Sequence, residues 1–250
     1  VRILAALSAV ALAAAALGQE RPRFDGSFGW SGGSFRFDSD LGGFDDRADA
    51  ELFQARLEVT SARGFGGGVR FESFSSDSAA GLFRDPLQPL DPGVEARNTA
   101  VQAHFTYLLR QHRFQMPLRA GLMQNTLVLD DPIAAAPETE YRSLGPFFEV
   151  EPEVTLTRDG ASAWTAYGRF GFGYGPTTVE VDNDSRDYET DSSFLNLELG
   201  ARYRTGPVVL GAAFLGRYQS MDPSAVVGGQ FAYGFDSGFH GVLLSVGVSF

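Results

Sequence analysis

The chain has 250 residues, 31 acidic against 20 basic side chains, and a formal charge of −11. Every basic residue is Arg, and Cys is absent, which excludes disulfides, thiolate metal sites and a Cys nucleophile. The acidic surplus argues against nucleic acid, where affinity rests on cations neutralising phosphates, while 22 Phe and 30 Gly lean towards β structure.

The first segment reads as a targeting sequence. Arg2 precedes the apolar run Ile3 to Leu17, and Ala16-Leu17-Gly18 places small residues where a signal peptidase cleaves. The run is shorter than the roughly 20 apolar residues of a spanning helix. Residues 1–18 are therefore expected to be a signal peptide, and 19–250 the mature domain.

From there the chain alternates with period two. Phe53, Ala55, Leu57 and Val59 oppose Gln54, Arg56 and Glu58; Phe105 and Tyr107 oppose His104 and Thr106. Phe148, Val150 and Val154 oppose Glu149, Glu151 and Glu153, and Leu195, Leu197 and Leu199 oppose Asn196, Glu198 and Arg202. The pattern predicts ten strands, near 26–38, 50–61, 65–76, 98–110, 113–124, 145–157, 161–181, 193–204, 207–220 and 239–250. In the first, Phe28 and Trp30 share one parity and Phe35 and Phe37 the other, so a bulge is expected at Gly32-Gly33.

Connections alternate in length. Ala62-Arg63-Gly64, Gln111-His112, Arg158-Asp159-Gly160 and Thr205-Gly206 read as tight turns; 39–49, 77–97, 125–144, 182–192 and 221–238 are long and polar. A soluble barrel would bury Arg56, Glu149, Glu151 and Arg202 and expose Trp and Phe. A closed antiparallel transmembrane β-barrel of about ten strands, wet inside and lipid-facing outside, accommodates both faces. Its short turns face the periplasm and its long loops the exterior.

The leader, the ten amphipathic strands and the C-terminal run Val242, Leu244, Val246, Val248 and Phe250 resemble the small outer-membrane β-barrel proteins of Gram-negative bacteria. The resemblance implies outer-membrane localisation, with the terminal run as the assembly signal. It also implies lipid, barrel-assembly machinery and periplasmic chaperones as partners, a monomer, and a loop ligand that it does not name. Such barrels serve as adhesins, channels, enzymes and anchors alike.

Candidate chemistry is sparse. Asp182, Asn183, Asp184 and Asp187 lack the Gly and closing Glu of a calcium loop, so a hydrated loop is the expectation. Outer-membrane aspartyl proteases pair a carboxylate with a His two residues away, whereas Asp236 and His240 are four apart. A facing acid pair would have to be Asp45-Asp46 or Asp130-Asp131. Lipid-deacylating barrels need a His beside a Ser at the lipid face; His104 reads inward and His112 lies in a turn. No cofactor, metal or enzymatic activity is expected, and Gly66-Gly67-Gly68 reads as strand packing.

The lumen carries the sharper reading. A charge network is expected from Arg56, Glu58, Arg70, Glu72, His104, Arg119, Glu149, Glu151, Glu153, Arg169, Glu198, Arg202 and Arg217. The turns place Glu149 opposite Arg169, Glu151 opposite Tyr167 and His104 opposite Arg119, with Glu149 also facing Arg119 from the next strand. Glu58 would lie diagonal to Arg70, and Arg56 to Glu72. Because about eight strands are just filled by side chains, ten with charges inside should be nearly closed. The expected function is surface interaction or envelope integrity through acidic loops. The alternatives are a narrow porin-like channel for ions or very small solutes and, more distantly, a rim hydrolase.

Overall fold

The computed structural model describes residues 22–39, 46–76, 95–130, 138–181, 187–226 and 234–250. The expected leader at 1–18, Asp45, Asp131 and most of the calcium-like loop (Asp182 to Asp184) lie outside the described residues.

Eleven strands follow in chain order: β1 (Arg23–Ser39), β2 (Asp46–Thr60), β3 (Phe65–Ser76), β4 (Glu95–Gln111), β5 (Phe114–Asp130), β6 (Thr139–Val150), β7 (Glu153–Asp159), β8 (Ser162–Val181), β9 (Tyr188–Thr205), β10 (Val208–Met221) and β11 (Phe235–Ser249). Each pairs antiparallel with its neighbours, and β1 pairs with β11, so the sheet closes. The expected strand 145–157 is broken at Glu151-Pro152, where proline has no N–H to give the ladder. Its halves, β6 and β7, both lie between β5 and β8. The barrel therefore has ten staves.

The outer wall is apolar. Phe28, Trp30, Phe53, Phe105, Phe148, Trp164, Phe170, Phe172, Phe214 and Leu244 are all large and exposed. Their alternate neighbours Gln54, Gln102, His104, Glu149, Arg169 and Glu198 are buried inside. Exposed hydrophobics around a closed, edgeless wall are stable only against hydrocarbon, which supplies no partners for unpaired backbone groups. At the closing seam Phe24 N–H donates to Phe250 O at 2.8 Å, and their rings stack 5.3 Å apart.

The turns differ from expectation in an instructive way. The first is as read: Thr60 pairs with Gly66, and Gly64 takes φ 89°, the left-handed residue that a three-residue turn requires. The other three turns have two residues, His112-Arg113, Gly160-Ala161 and Gly206-Pro207. In each the first residue carries positive φ, 50°, 54° and 57° respectively. A type II′ hairpin turn demands positive φ at its first central position. Gly160 and Gly206 therefore open their turns, where the sequence reading had them close. Each pairing consequently slides by two residues, which preserves every side chain's face and changes its partner. His104 lies opposite Gly121, not Arg119; Glu149 opposite Gly171, not Arg169; and Glu153, not Glu151, opposite Tyr167. Between β7 and β8 an irregularity at Thr155/Thr157 leaves Leu156 as an extra residue, so a two-residue turn still conserves parity there.

The bulge expected at Gly32-Gly33 is absent. β1 keeps one register with β11 from Asp25 to Ser249 through Ser39 to Phe235. Phe35 and Phe37 point inward because the lumen itself changes character with height. Above the charges, Phe35, Phe37, Leu52, Phe74, Leu127, Leu129, Tyr141, Val179, Leu215, Phe235 and Phe239 form one buried apolar cluster. Phe35 and Phe74 lie 4.9 Å apart, Phe74 and Phe239 5.4 Å, and Phe37 stacks on Phe235 at 4.9 Å. Several strands reach into segments expected to be loops, because their inward residues there are apolar: β5 runs on through Leu127 and Leu129 to Asp130.

Candidate functional site

The site is a belt of charge across the middle of the lumen, built from inward positions of eight strands. Strand pleat alone puts Arg56 and Glu58 on β2, Arg70 and Glu72 on β3, Arg119 on β5 and Glu149 on β6 on the same side of the wall. Arg169 on β8, Glu198 and Arg202 on β9, and Arg217 on β10 complete the circle, with Glu153 on β7. Glu151 occupies the break between β6 and β7, its N–H donating to Pro117 O at 3.0 Å.

Glu151 is the hub. Arg119 Nη1 lies 2.7 Å from Glu151 Oε2, Arg169 Nε 3.0 Å and Arg56 Nη1 3.1 Å, while Arg202 Nη2 sits 2.6 Å from Oε1. Glu149, the register partner of Arg119, accepts from Arg119 Nη1 at 2.8 Å and from Arg70 Nη2 at 2.5 Å. Glu58 pairs with Arg56 and accepts from Arg119 Nε at 3.0 Å. Arg169 Nη1 donates to Glu198 Oε2 at 2.6 Å, and Arg217 Nη2 to Glu72 Oε1 at 2.7 Å. Arg202 Nη1 donates to Glu153 Oε1 at 2.6 Å.

Six arginines thus meet six glutamates, so the belt is neutral as well as continuous. Glu151 is 0 % exposed, Glu149 and Glu198 1 %, and Arg119 and Arg169 2 %. A charge so removed from water costs several kcal/mol unless it is paired and hydrogen-bonded, which is what the interleaving supplies.

One member does not take the place expected of it, and two that do bond mainly to other partners. His104 is buried with Nε2 3.7 Å from Glu58 Oε2 and its ring edge-on to Phe147, and neither ring nitrogen has a hydrogen-bond partner. It borders the belt and adds no strong contact. Arg70 and Glu72, diagonal to the β2 pair, bond chiefly elsewhere, to Gln102, Glu149 and Arg217.

Two further contributors stand outside the expected charge network. Tyr167 donates its hydroxyl to Glu198 Oε1 at 2.7 Å and lies beneath the Arg202 guanidinium, 3.6 Å from ring centroid to Cζ. Gln102 Oε1 accepts from Arg70 Nε at 2.9 Å. Both stand at inward parity, the one signal by which the sequence could have marked them.

Of the residues weighed for catalysis, the structure describes the β11 pair and the turn histidine. His240 and Asp236 lie on the outward face of β11, where His240 pairs with Ser34 and Gly216, and Asp236 with Asp38 and Ser220. His112 occupies a turn. Among the described residues no group of three His, Asp or Glu is arranged to hold a metal ion. Val242, Leu244, Val246, Val248 and Phe250 line the outward face of the closing stave.

No family model and no curated protein matches the chain. Among solved structures, the outer membrane protease OmpT from Escherichia coli superposes with a TM-score of 0.55 at 12 % identity, covering 92 % of this chain and 96 % of that one. The translocator domain of the autotransporter NalP from Neisseria meningitidis gives 0.37 at 10 % identity, over 97 % and 95 %. The β domain of the Bordetella autotransporter BrkA gives 0.39 at 11 %, over 92 % and 99 %. At such identities the likeness is one of fold. The chain is a closed, antiparallel, ten-stave β-barrel of the outer-membrane type. Its lipid-facing exterior belongs in that membrane.

Proposed function

We propose that the protein is a non-conducting, non-enzymatic outer-membrane barrel that serves surface interaction or envelope integrity through its acidic extracellular loops. The near-zero exposure of Glu151, Glu149, Arg119 and Arg169 carries this reading. Side chains lining an aqueous pore are wetted, and these are sealed against one another across the bore. The aromatic cluster above the belt adds a second obstruction, with Tyr141 against Phe235 at 5.0 Å.

A solved structure of the same fold is a protease by its name. Here the candidate His240 and Asp236 stand on the outward face of β11, away from the lumen, which argues for a scaffold role over a catalytic one.

The test is single-channel recording of the refolded barrel in planar bilayers. Wild-type protein is expected to give no stepwise conductance, whereas Arg119→Ser with Glu149→Ser, which empties part of the belt and leaves it neutral, is expected to admit ions. Regular steps from the wild type would instead support the narrow-channel alternative.

A further inference from the structure

Below the belt, the lumen opens at the short-turn end into a cavity of about 400 Å³. Four arginines line it, Arg23, Arg158, Arg202 and Arg204, against a single carboxylate, Glu153. In a chain with 31 acids and 20 bases this is a reversal of sign.

The carboxylates nearby are already engaged. Glu153 is held by Arg202 at 2.6 Å, and Arg23 by Asp25 at 2.8 Å. Arg204 donates only to backbone carbonyls, to Gly206 O at 3.1 Å and Ser249 O at 3.2 Å. Among the described residues neither Arg158 nor Arg204 has an ion-pair partner within 4.0 Å, and Arg204 is held by carbonyl oxygens alone.

Sheet register turns these two into a pair. Arg158 on β7 and Arg204 on β9 are both register partners of Ala163 on β8. They stand in one row on the lumen face, separated by two strand spacings, roughly 10 Å. Only a methyl group lies between them. The next row towards the belt is Thr155, Thr165 and Arg202, which adds two hydroxyls.

We infer that this vestibule is an oxyanion-binding site, in which Arg158 and Arg204 close over Ala163 onto one phosphate or carboxylate group of a soluble periplasmic molecule. Two long guanidinium arms reach a common centre from that separation, and charge-assisted bidentate bonds are the strongest recognition available for such groups. A lipid headgroup is the wrong source: the arginines face the lumen, while Trp164 and Leu156 face lipid on the other side of the wall. The belt gives the site a blind end, so the ligand docks and does not pass. Only that last point rests on the plugged-lumen reading; binding and conductance are read separately.

The experiment uses the refolded full barrel in a neutral sugar detergent, titrated calorimetrically with inorganic phosphate and, in a second arm, with citrate as carboxylate probe. Phosphate should bind with saturation, weaken with added salt, and weaken about tenfold or more in Arg158→Gln or Arg204→Gln. Arg63→Gln, in the turn between β2 and β3 and outside the cavity, should bind as wild type does. Ala163→Glu sets a carboxylate between the two arginines and should abolish binding while the barrel stays heat-modifiable. A stronger response to citrate than to phosphate assigns the site to carboxylates. Unsaturable uptake of both probes, or unchanged affinity in the Arg158→Gln and Arg204→Gln variants, overturns it.

Discussion

Arg119 Nη1 on β5 lies 2.7 Å from Oε2 of Glu151, which sits in the break between β6 and β7, 32 positions away in the chain. The same nitrogen lies 2.8 Å from Glu149 Oε1, so one guanidinium nitrogen ties the glutamate in the break to the one on the strand before it. That arrangement makes Glu151 the most contacted member of the belt.

Replacing Glu151 with Gln keeps the volume and removes the charge, leaving Arg56, Arg119, Arg169 and Arg202 facing one another. The loss should be about 3–5 kcal/mol, the usual consequence of orphaning a buried charge. Arg119→Gln on the Glu151→Gln background should recover part of it. In a double-mutant cycle on urea unfolding, a coupling of about 1–3 kcal/mol is expected for this pair.

The two faces of the wall should be sensitive to different changes. Phe105 is 74 % exposed on the outer face, and Phe105→Arg should destabilise the barrel by about 2–4 kcal/mol if it lies near the bilayer midplane. Phe35 is packed in the upper lumen, and Phe35→Ala should cost about 3–5 kcal/mol through the cavity it leaves. Phe105→Leu, still apolar against lipid, should be nearly silent. Refolding into vesicles with a denaturant titration measures all three.

His112 has φ 50° at the opening position of its turn, where Gly160 and Gly206 stand in the equivalent turns. His112→Gly should therefore stabilise by up to about 1 kcal/mol, and Gly206→Val should destabilise by about 1–2 kcal/mol, from left-handed strain. Paired unfolding curves would reveal the opposite signs.

Deleting Phe250 removes two backbone hydrogen bonds to Phe24 and the ring stack that closes β1 on β11. The amount of heat-modifiable barrel recovered from outer membranes should fall. A normal yield would separate the seam from assembly.

Class, orientation of faces and the roster of inward charges were legible in the chain, because strand pleat has a period of two and survives any slip by an even number of residues. Partner identity did not survive such slips. His112, Gly160 and Gly206 carried the register, and reading each as the last residue of its turn, where a type II′ turn needs it first, displaced His104 and Glu149 by one pair each. The supposed bulge at Gly32-Gly33 had a related origin. The parity switch from Phe28 and Trp30 to Phe35 and Phe37 predicts a bulge only if every apolar residue faces outward, whereas β1 runs straight and the upper lumen is apolar too.

Period-two alternation fixes which side of a wall a residue occupies, since that depends on its own backbone and on nothing distant. Which arginine meets which glutamate across the bore is a property of closure: Arg56 reaches Glu151 over 95 residues, and Arg217 reaches Glu72 over 145. Only turn conformation, the Pro152 break and the curvature of ten joined staves bring those atoms together.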